Sequence, residues 1–441
     1  FLSLQQNFRH IMDKFRIFRL LSMMAIFVAY KWSQPSSSPL NPPHKYTVLN
    51  EFLSDEQHKK MMVMFESLGE FPAAKQDWTS TKWISIDEDY DPDSNGKCEK
   101  PYTMLNKNTE KCQLPNRIDI GKHFIESGGY NGWKESYQKM IHRLNPFINY
   151  QFDAYKRPEF IELFEADEFQ TAVKHICGRQ NPYFKPFQLS MILNLPGQSV
   201  PQHLDIPYFW TATRYAFPQW LLLVMQDSGL FKQQRLPQVQ ALVYVHDWQV
   251  DNSSDPEEYN KFGGQFVLYP QGVEHKPAVI PSAPKSAIFC DGSEVVHATS
   301  TYKPEIKPYP FDKDLKNSMK WDKQNNVWRL YVDEKATNTI YSWQDIRASI
   351  AYRGWCFADK DVMNQWDPEE WSGDLTLDDV MDILKRDLIH TKKVISVDKW
   401  NRMDQYEKGL YLLDAYISLP KPTLSRIPFN YCLMFAKMPN W

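Results

Sequence analysis

His203 and Asp205 stand two positions apart in the stretch FQLSMILNLPGQSVPQHLDIPY, from Phe187 to Tyr208. That stretch reads as an apolar strand, a Pro-Gly turn and a short extended segment. Successive side chains of an extended chain point to opposite faces, so an i, i+2 pair sets an imidazole and a carboxylate side by side. A third ligand has to come from a distant strand, and His297, in the β-branched run SEVVHATSTY, is the best candidate. Two histidines and one carboxylate on one side of a metal leave coordination positions open, which suits a ferrous ion that must also bind small ligands. Without His297, the His203/Asp205 pair would read as a surface pair beside a turn. His246 in YVHDW and His275 in GVEHKP are further imidazoles, but neither has a carboxylate at i+2. Each reads better as a strand or loop histidine.

The elements that must position these residues are mostly strands. From Phe187 on, short β-rich runs alternate with turns: FQLSMILNL, QWLLLVMQ, QALVYVHDW, GGQFVLYP, KSAIFC, EVVHATSTY, VWRLYV and RASIAYRGWCF. Many short strands with long loops predict an antiparallel jelly roll or barrel. On the first of them Gln188, Ser190 and Asn194 share one face, which would line a polar pocket or be partly solvated. Tyr208, Trp210 and Arg214 follow the H-x-D pair closely enough to touch a substrate, although an aromatic is as readily a core residue. Upstream, KYTVLNEFL reads as a strand and Ser54 to Gln57 as a capping box opening a helix, so a strand-helix unit is predicted near 46–68. Residues 75–130 are polar and turn-rich. WKESYQKMIHRLNPFINYQF and PEFIELFEADEFQTAVKHIC are helical patterns, as are TLDDVMDILKRDLI and MDQYEKGLYLLDAYI in the tail. The expected class is α+β, a jelly-roll core over 187–357 with an N-terminal region (46–186) and a C-terminal region (358–441) supplying flanking helices.

Composition bounds the function. A chain of 441 residues, 42% hydrophobic and 15% aromatic, is ample for a packed core. A formal charge of −3 leaves no basic footprint, so no nucleic acid is implied as a partner. The six cysteines include no CxxC pair, which argues against a structural zinc site. Cys98 and Cys112 bracket a polar loop and would be bridged in an oxidising compartment or free in a reducing one. Asn252-Ser253-Ser254 is the one glycosylation sequon, a pattern that chance also produces. Arg9, Lys14, Arg16 and Arg19 precede an uncharged run from Leu20 to Tyr30. Residues 1–32 thus read as a signal peptide or anchor, short of a full span, and 33–45 as a Ser/Pro-rich linker. The secretory or endomembrane route is favoured, with contact to a membrane through this segment; an amphipathic helix on a cytoplasmic protein and a mitochondrial presequence are the alternatives.

The ordered set of His203 and Asp205, a GGxF strand (Gly263, Gly264, Phe266), His297 after the turn Asp291-Gly292, and an R-x-S pair (Arg347, Ser349) resembles the 2-oxoglutarate and Fe(II)-dependent dioxygenases. NEFLSDEQ is similar to the opening of their prolyl-hydroxylase-like members. The resemblance implies a double-stranded β-helix holding Fe(II) with His203, Asp205 and His297. It also implies oxidation, typically hydroxylation, of a small-molecule, peptide or protein substrate by O2, coupled to decarboxylation of 2-oxoglutarate, with ascorbate as an accessory reductant. In many members the residue gripping 2-oxoglutarate follows the distal histidine closely, whereas Arg347 comes 50 positions later. An insertion at about 304–342 has to separate the two strands, and its WDKQNNVWRLYVDEK segment predicts a hairpin near the mouth of the barrel.

The far carboxylate of such a cosubstrate needs a fixed cation, and arginine offers a planar fork that lysine lacks. Arg347 and Ser349 share a strand face and would meet the same carboxylate, beside Asn194 and Gln188. Lys303 is the rival, but six residues of strand put it roughly 20 Å from His297. Two other classes use the same residues. A jelly-roll binding protein for a glycan or small ligand needs no redox metal, and a zinc hydrolase uses the triad without O2 or an oxo acid.

Overall fold

The computed structural model describes residues 45–73, 91–96, 104–105, 112–113, 146–151 and, with short breaks, 158–416. The basic and apolar N-terminal segment, the linker to residue 44, Cys98, most of the turn-rich stretch 75–130 and the end of the chain past 416 lie outside the described residues. No helix among those described is long and apolar enough to cross a membrane.

The chain enters through β1 (Tyr46–Leu49) and α1 (Asp55–Ser67). The Ser54 hydroxyl accepts from the Gln57 N–H and the Gln57 carboxamide accepts from the Ser54 N–H, the two reciprocal bonds of a capping box. β2 (Glu70–Pro72), β3 (Phe147–Gln151), α2 (Pro158–Glu165) and α3 (Asp167–Cys177) follow. β3 corrects part of the helical reading of WKESYQKMIHRLNPFINYQF. FINYQ pairs with the next strand, and its Phe147 and Ile148 are buried in the sheet.

The core strands are β4 (Tyr183–Asn194), β5 (Val200–His203), β6 (Gln238–Tyr244), β7 (Phe266–Leu268), β8 (Ala278–Ile280), β9 (Ala287–Cys290) and β10 (His297–Thr299). Between β5 and β6 lies α4 (Gln219–Ser228), where QWLLLVMQ had read as a strand. A run buried on every side shows neither the helical nor the strand period. The punctuation decides it: Pro218 starts the helix and Gly229, in the left-handed region, ends it. β11 (Asn317–Asp322), β12 (Val327–Val332), β13 (Lys335–Tyr341) and β14 (Arg347–Phe357) close the β region.

Among the described residues all strand pairings are antiparallel. One sheet runs β1-β9-β6-β14-β4-β3, a second β8-β7-β10-β5, and a third β13-β12-β11-β2. The chain therefore crosses from the first sheet to the second and back, a mixed α/β arrangement of antiparallel sheets. Leu242, Tyr244, Ile288, Cys290 and Ala351 of the first sheet pack with Phe266, Leu268 and Ile280 of the second. The other face of the first sheet, with Leu189, Met191, Leu193, Ala348, Ile350 and Tyr352, is covered by Met61, Phe65, Phe164 and Phe169 of α1 to α3. Burial on both faces leaves every residue of β6 buried, Gln238 and Gln240 included.

The β11–β12 hairpin does not stand near the mouth, as the sequence had suggested. Its Met319, Trp328 and Leu330 join the helix-covered cluster, where Phe71 meets Trp328 edge-on at 5.4 Å. Trp328 of the insertion packs there against Phe71 and Trp343, the latter meeting Phe65 in turn, more apolar surface than a solvent-facing lip could hide. The C-terminal helices α5 (Lys360–Gln365), α6 (Leu377–Arg386), α7 (Val397–Arg402) and α8 (Gln405–Tyr416) follow β14. Of these, α6, α7 and α8 pack on α4 through Trp220, Leu384, Trp400 and Leu412.

A disulfide joins Cys177, the last residue of α3, to Cys356 of β14. Its partners lie 179 residues apart, so nothing in their local sequence announced them.

Candidate metal centre

His203 ends β5 and lies directly opposite His297 at the start of β10, so ladder pairing brings the two imidazoles together with ring centroids 4.3 Å apart. Asp205 follows two residues on. Its Oδ1 is 3.8 Å from His203 Nε2 and its Oδ2 is 4.0 Å from His297 Nε2. One ligand atom from each of the three side chains lies within 4.8 Å of the others, a group able to hold one cation. His297 Nδ1 sits 2.9 Å from the Val295 carbonyl. If Nδ1 carries the proton, the Nε2 lone pair faces the centre, the orientation a metal-ligating histidine needs. Burial pushes the His297 imidazole below its ordinary value, against the pull of Asp205 and the Val295 carbonyl, so the ring is held neutral and ready to ligate.

A turn behind the ligands sets their spacing. The Asp205 N–H donates to the Gly292 carbonyl at 2.8 Å. A Cβ on Gly292 would overlap Asp205 Oδ2 and come within 3.1 Å of His297 Cε1. Glycine is required here by close approach. The neighbouring Asp291 carboxylate accepts from the Ser293 N–H at 3.0 Å, the Gln238 N–H at 3.2 Å and the Arg235 guanidinium, which pins the turn to the first sheet.

Arg353 is the residue that sequence reasoning missed. Its guanidinium donates to Asp205 Oδ1, and its Nε donates to Gln240 Oε1 at 2.8 Å; the Gln240 carboxamide lies 3.5 Å from His297 Nε2. The signal was present in the strand period. Arg347, Ser349, Ala351 and Arg353 share parity on β14, and Ala351 belongs to the cluster between the two sheets.

The predicted cosubstrate residues fall into two places. Arg347 is opposite Asn194 on β4 and is 2% exposed. It donates to the Gly264 carbonyl at 2.9 Å, to Asn194 Oδ1 at 3.1 Å and to the Tyr244 hydroxyl at 3.2 Å, with its guanidinium carbon 4.9 Å from the Tyr244 ring centroid. These acceptors, and the Ser282 hydroxyl at 3.4 Å from Nε, are all neutral. Asn194 Nδ2 and Ser349 Oγ are buried there without a hydrogen-bond partner among the described residues. Gln188 lies instead opposite Arg353, at the metal end, and donates to Ser190 Oγ at 2.9 Å.

The alternatives are occupied elsewhere. Lys303 reaches Asp345 Oδ1 at 3.4 Å and the Gln344 carbonyl at 3.3 Å. His246 is fully buried with its ring nitrogens 3.1 and 2.8 Å from the carbonyls of Ala348 and Ser282, and His275 lies on an exposed turn. Tyr208 packs edge-on against Trp355, while Trp210 packs against Phe357 and Trp366, which makes both part of an aromatic cluster. Arg214 is half-buried.

No family model matches the chain, and no curated protein does. Solved structures similar to it include two prolyl hydroxylases and HygX. A prolyl hydroxylase from Trichoplax adhaerens, in complex with a hypoxia inducible factor peptide fragment, is 13% identical, with 74% of this chain and 90% of that one covered and a TM-score of 0.31. The viral collagen prolyl hydroxylase of Paramecium bursaria chlorella virus-1, a 2-oxoglutarate complex, is 11% identical, with coverage of 72% and 98% and a TM-score of 0.28. HygX from Streptomyces hygroscopicus, with nickel and 2-oxoglutarate bound, is 9% identical, with coverage of 71% and 83% and a TM-score of 0.28. Overlays this loose carry no argument by themselves. The triad, however, has the ligand set that this superfamily uses.

Proposed function

We propose that this protein is an Fe(II)- and 2-oxoglutarate-dependent oxygenase whose first two sheets form a double-stranded β-helix. The observation that carries the reading is the pairing of two poles on one strand face. A two-histidine, one-carboxylate group stands at one end, and a buried guanidinium with only neutral acceptors stands at the other. A buried cation without a counter-charge is costly, and so are orphaned polar atoms, unless an anionic ligand completes them. A zinc hydrolase would have no use for this second pole, and a dioic acid chelated at the first end satisfies it.

His203, Asp205 and His297 would hold Fe(II), and Arg347, Ser349 and Asn194 would hold the far carboxylate of 2-oxoglutarate. When bound, iron and cosubstrate supply the oxidising power. One atom of O2 ends in succinate, as CO2 is lost from 2-oxoglutarate, and the other in the oxidised substrate. The residues of this chain bind and orient. Val295 and the Gly292 turn fix the metal ligands, Arg353 balances the charge of Asp205, and the cluster around Ile288 and Leu242 excludes water between the poles. Substrates approach past Arg353 and Gln188, the half-exposed residues at the metal end.

The test is anaerobic titration of the purified chain with Fe(II) and then 2-oxoglutarate. A weak visible charge-transfer band, absent with Zn(II), is expected at one equivalent. Its absence with iron demonstrably bound would overturn the cosubstrate assignment, and absence of iron binding would overturn the triad.

A further inference from the structure

Oxygenase chemistry leaves unused an exposed turn on the loop between β6 and β7. Asn252, Ser253 and Ser254 are all exposed, together with Asp251 and Asp255. The Asp255 N–H donates to the Asn252 carbonyl at 3.2 Å, which closes the turn, and the Ser254 hydroxyl donates to Asn252 Oδ1 at 2.7 Å. The loop is rooted at both ends. On one side Trp248 is buried and its indole N–H donates to the Ile346 carbonyl at 2.8 Å; on the other Tyr259 is buried in the same cluster. The carboxamide is thus held out on a firm base.

We propose that Asn252 carries an N-linked oligosaccharide, added in an oxidising compartment. The turn supplies what the chemistry demands. The carboxamide nitrogen is a weak nucleophile because its lone pair is delocalised into the C=O, so the transferase must reach both the amide and a hydroxyl two residues on. Here the two side chains already meet on the outside of the turn. In the transfer a bond forms between Asn252 Nδ2 and C1 of the first sugar. The bond from C1 to the lipid-linked pyrophosphate donor breaks, and the pyrophosphate leaves with the electron pair while Nδ2 loses one proton. Nothing is oxidised or reduced.

The second observation is independent of the sequon. The Cys177–Cys356 bridge lies inside the helix-covered cluster, both cysteines being buried, and structural disulfides of this kind belong to secreted and endomembrane proteins. That is also where lipid-linked oligosaccharide is available. The chain has one sequon, so occupancy reads out a single residue. This inference does not depend on the metal or cosubstrate assignments.

The experiment is expression of the full chain in a eukaryotic cell. The purified protein is treated with peptide N-glycosidase in heavy-oxygen water and mapped by mass spectrometry. The expected result is a single downward gel step, with Asn252 recovered as heavy-oxygen-labelled aspartate. Both Asn252→Gln and Ser254→Ala should run at the lower position untreated, whereas Ser254→Thr, which keeps the hydroxyl, should keep the shift. Recovery of Asn252 as unmodified asparagine overturns the proposal, as does a shift that survives in Asn252→Gln. Free thiols at Cys177 and Cys356 in the cell-derived protein would overturn the compartment on which it stands.

Discussion

β14 carries two arginines on one interior face, six residues or roughly 20 Å of strand apart, and they meet opposite situations. Arg353, partly exposed, lies against the Asp205 carboxylate. Arg347 is sealed beneath Gly264, whose added Cβ would come within 2.9 Å of the arginine Cδ, and bonds only to neutral oxygens. At one end the positive charge is matched by the Asp205 carboxylate, a member of the candidate metal group. At the far end every acceptor is neutral. The same side chain in the same strand register meets two environments, and the difference lies in which strands run beside it.

The sharpest way to break this comparison is at the metal end. His297→Ala is expected to abolish stoichiometric Fe(II) or Co(II) binding, as read by anaerobic calorimetry, with circular dichroism unchanged. Binding as tight as in the parent would remove the distinction between the two ends.

The complementary cut is Arg347→Ala. Losing one partner of a buried charged contact costs on the order of 2–5 kcal/mol, so the apparent 2-oxoglutarate constant should rise at least about thirtyfold. Metal affinity should hardly move. Arg347→Lys keeps the charge without the fork and should lie between. Lys303→Ala, whose ammonium is engaged by Asp345, should be silent, and a large shift there with none at Arg347 would reverse the assignment.

Gly292→Ala sharpens the candidate metal end without replacing a proposed ligand. Its methyl must push Asp205 and His297 apart. Second-layer changes of this kind typically cost about 10–100-fold in metal affinity. Thermal stability measured without metal provides the control: equal losses in the two assays would mean that the turn only supports the fold.

What the sequence revealed follows from which contacts are local. His203 and Asp205 were legible because the strand period alone sets them side by side, and Ser54 with Gln57 because a capping box spans one turn. Arg353 was not, because its partner depends on Asp205 being carried between the sheets by a ladder with β10, a pairing no spacing encodes. Cys177 and Cys356 were invisible for the same reason. The QWLLLVMQ helix failed differently: burial on every side erased its period, and only Pro218 and Gly229 could have spoken for it.

His246, beside Arg347, makes the contrast testable by pH. Burial and the Arg347 guanidinium depress the imidazole to about 3, against the two carbonyls that favour its charged form. The folded state therefore binds fewer protons than the unfolded state, whose histidine titrates near its ordinary 6.5. The contribution of His246 to stability is fully present above that value and is lost as pH falls toward 3. Over this window, urea unfolding should lose about 1.4 kcal/mol per pH unit from this group. A slope unchanged in His246→Asn would assign the loss to other residues.

The smallest effect is the most discriminating. Ser349 Oγ lies buried near Arg347 and has no hydrogen-bond partner among the described residues. A hydroxyl serving only the fold would be paired, and its removal would cost stability. An orphaned hydroxyl held for a ligand should behave the other way round. Ser349→Ala should leave the unliganded melting temperature unchanged or slightly higher, since a desolvated polar group is removed with little change in volume. It should also weaken 2-oxoglutarate by the value of one hydrogen bond to a charged oxygen, about 1.5–3 kcal/mol or roughly tenfold and upward, less whatever a neighbouring donor such as Asn194 Nδ2 makes up. The measurement is a thermal-shift titration with 2-oxoglutarate and Zn(II), which involves no turnover. A lower unliganded melting temperature with an unaltered 2-oxoglutarate shift would make Ser349 a packing residue and leave Arg347 to grip the carboxylate without it.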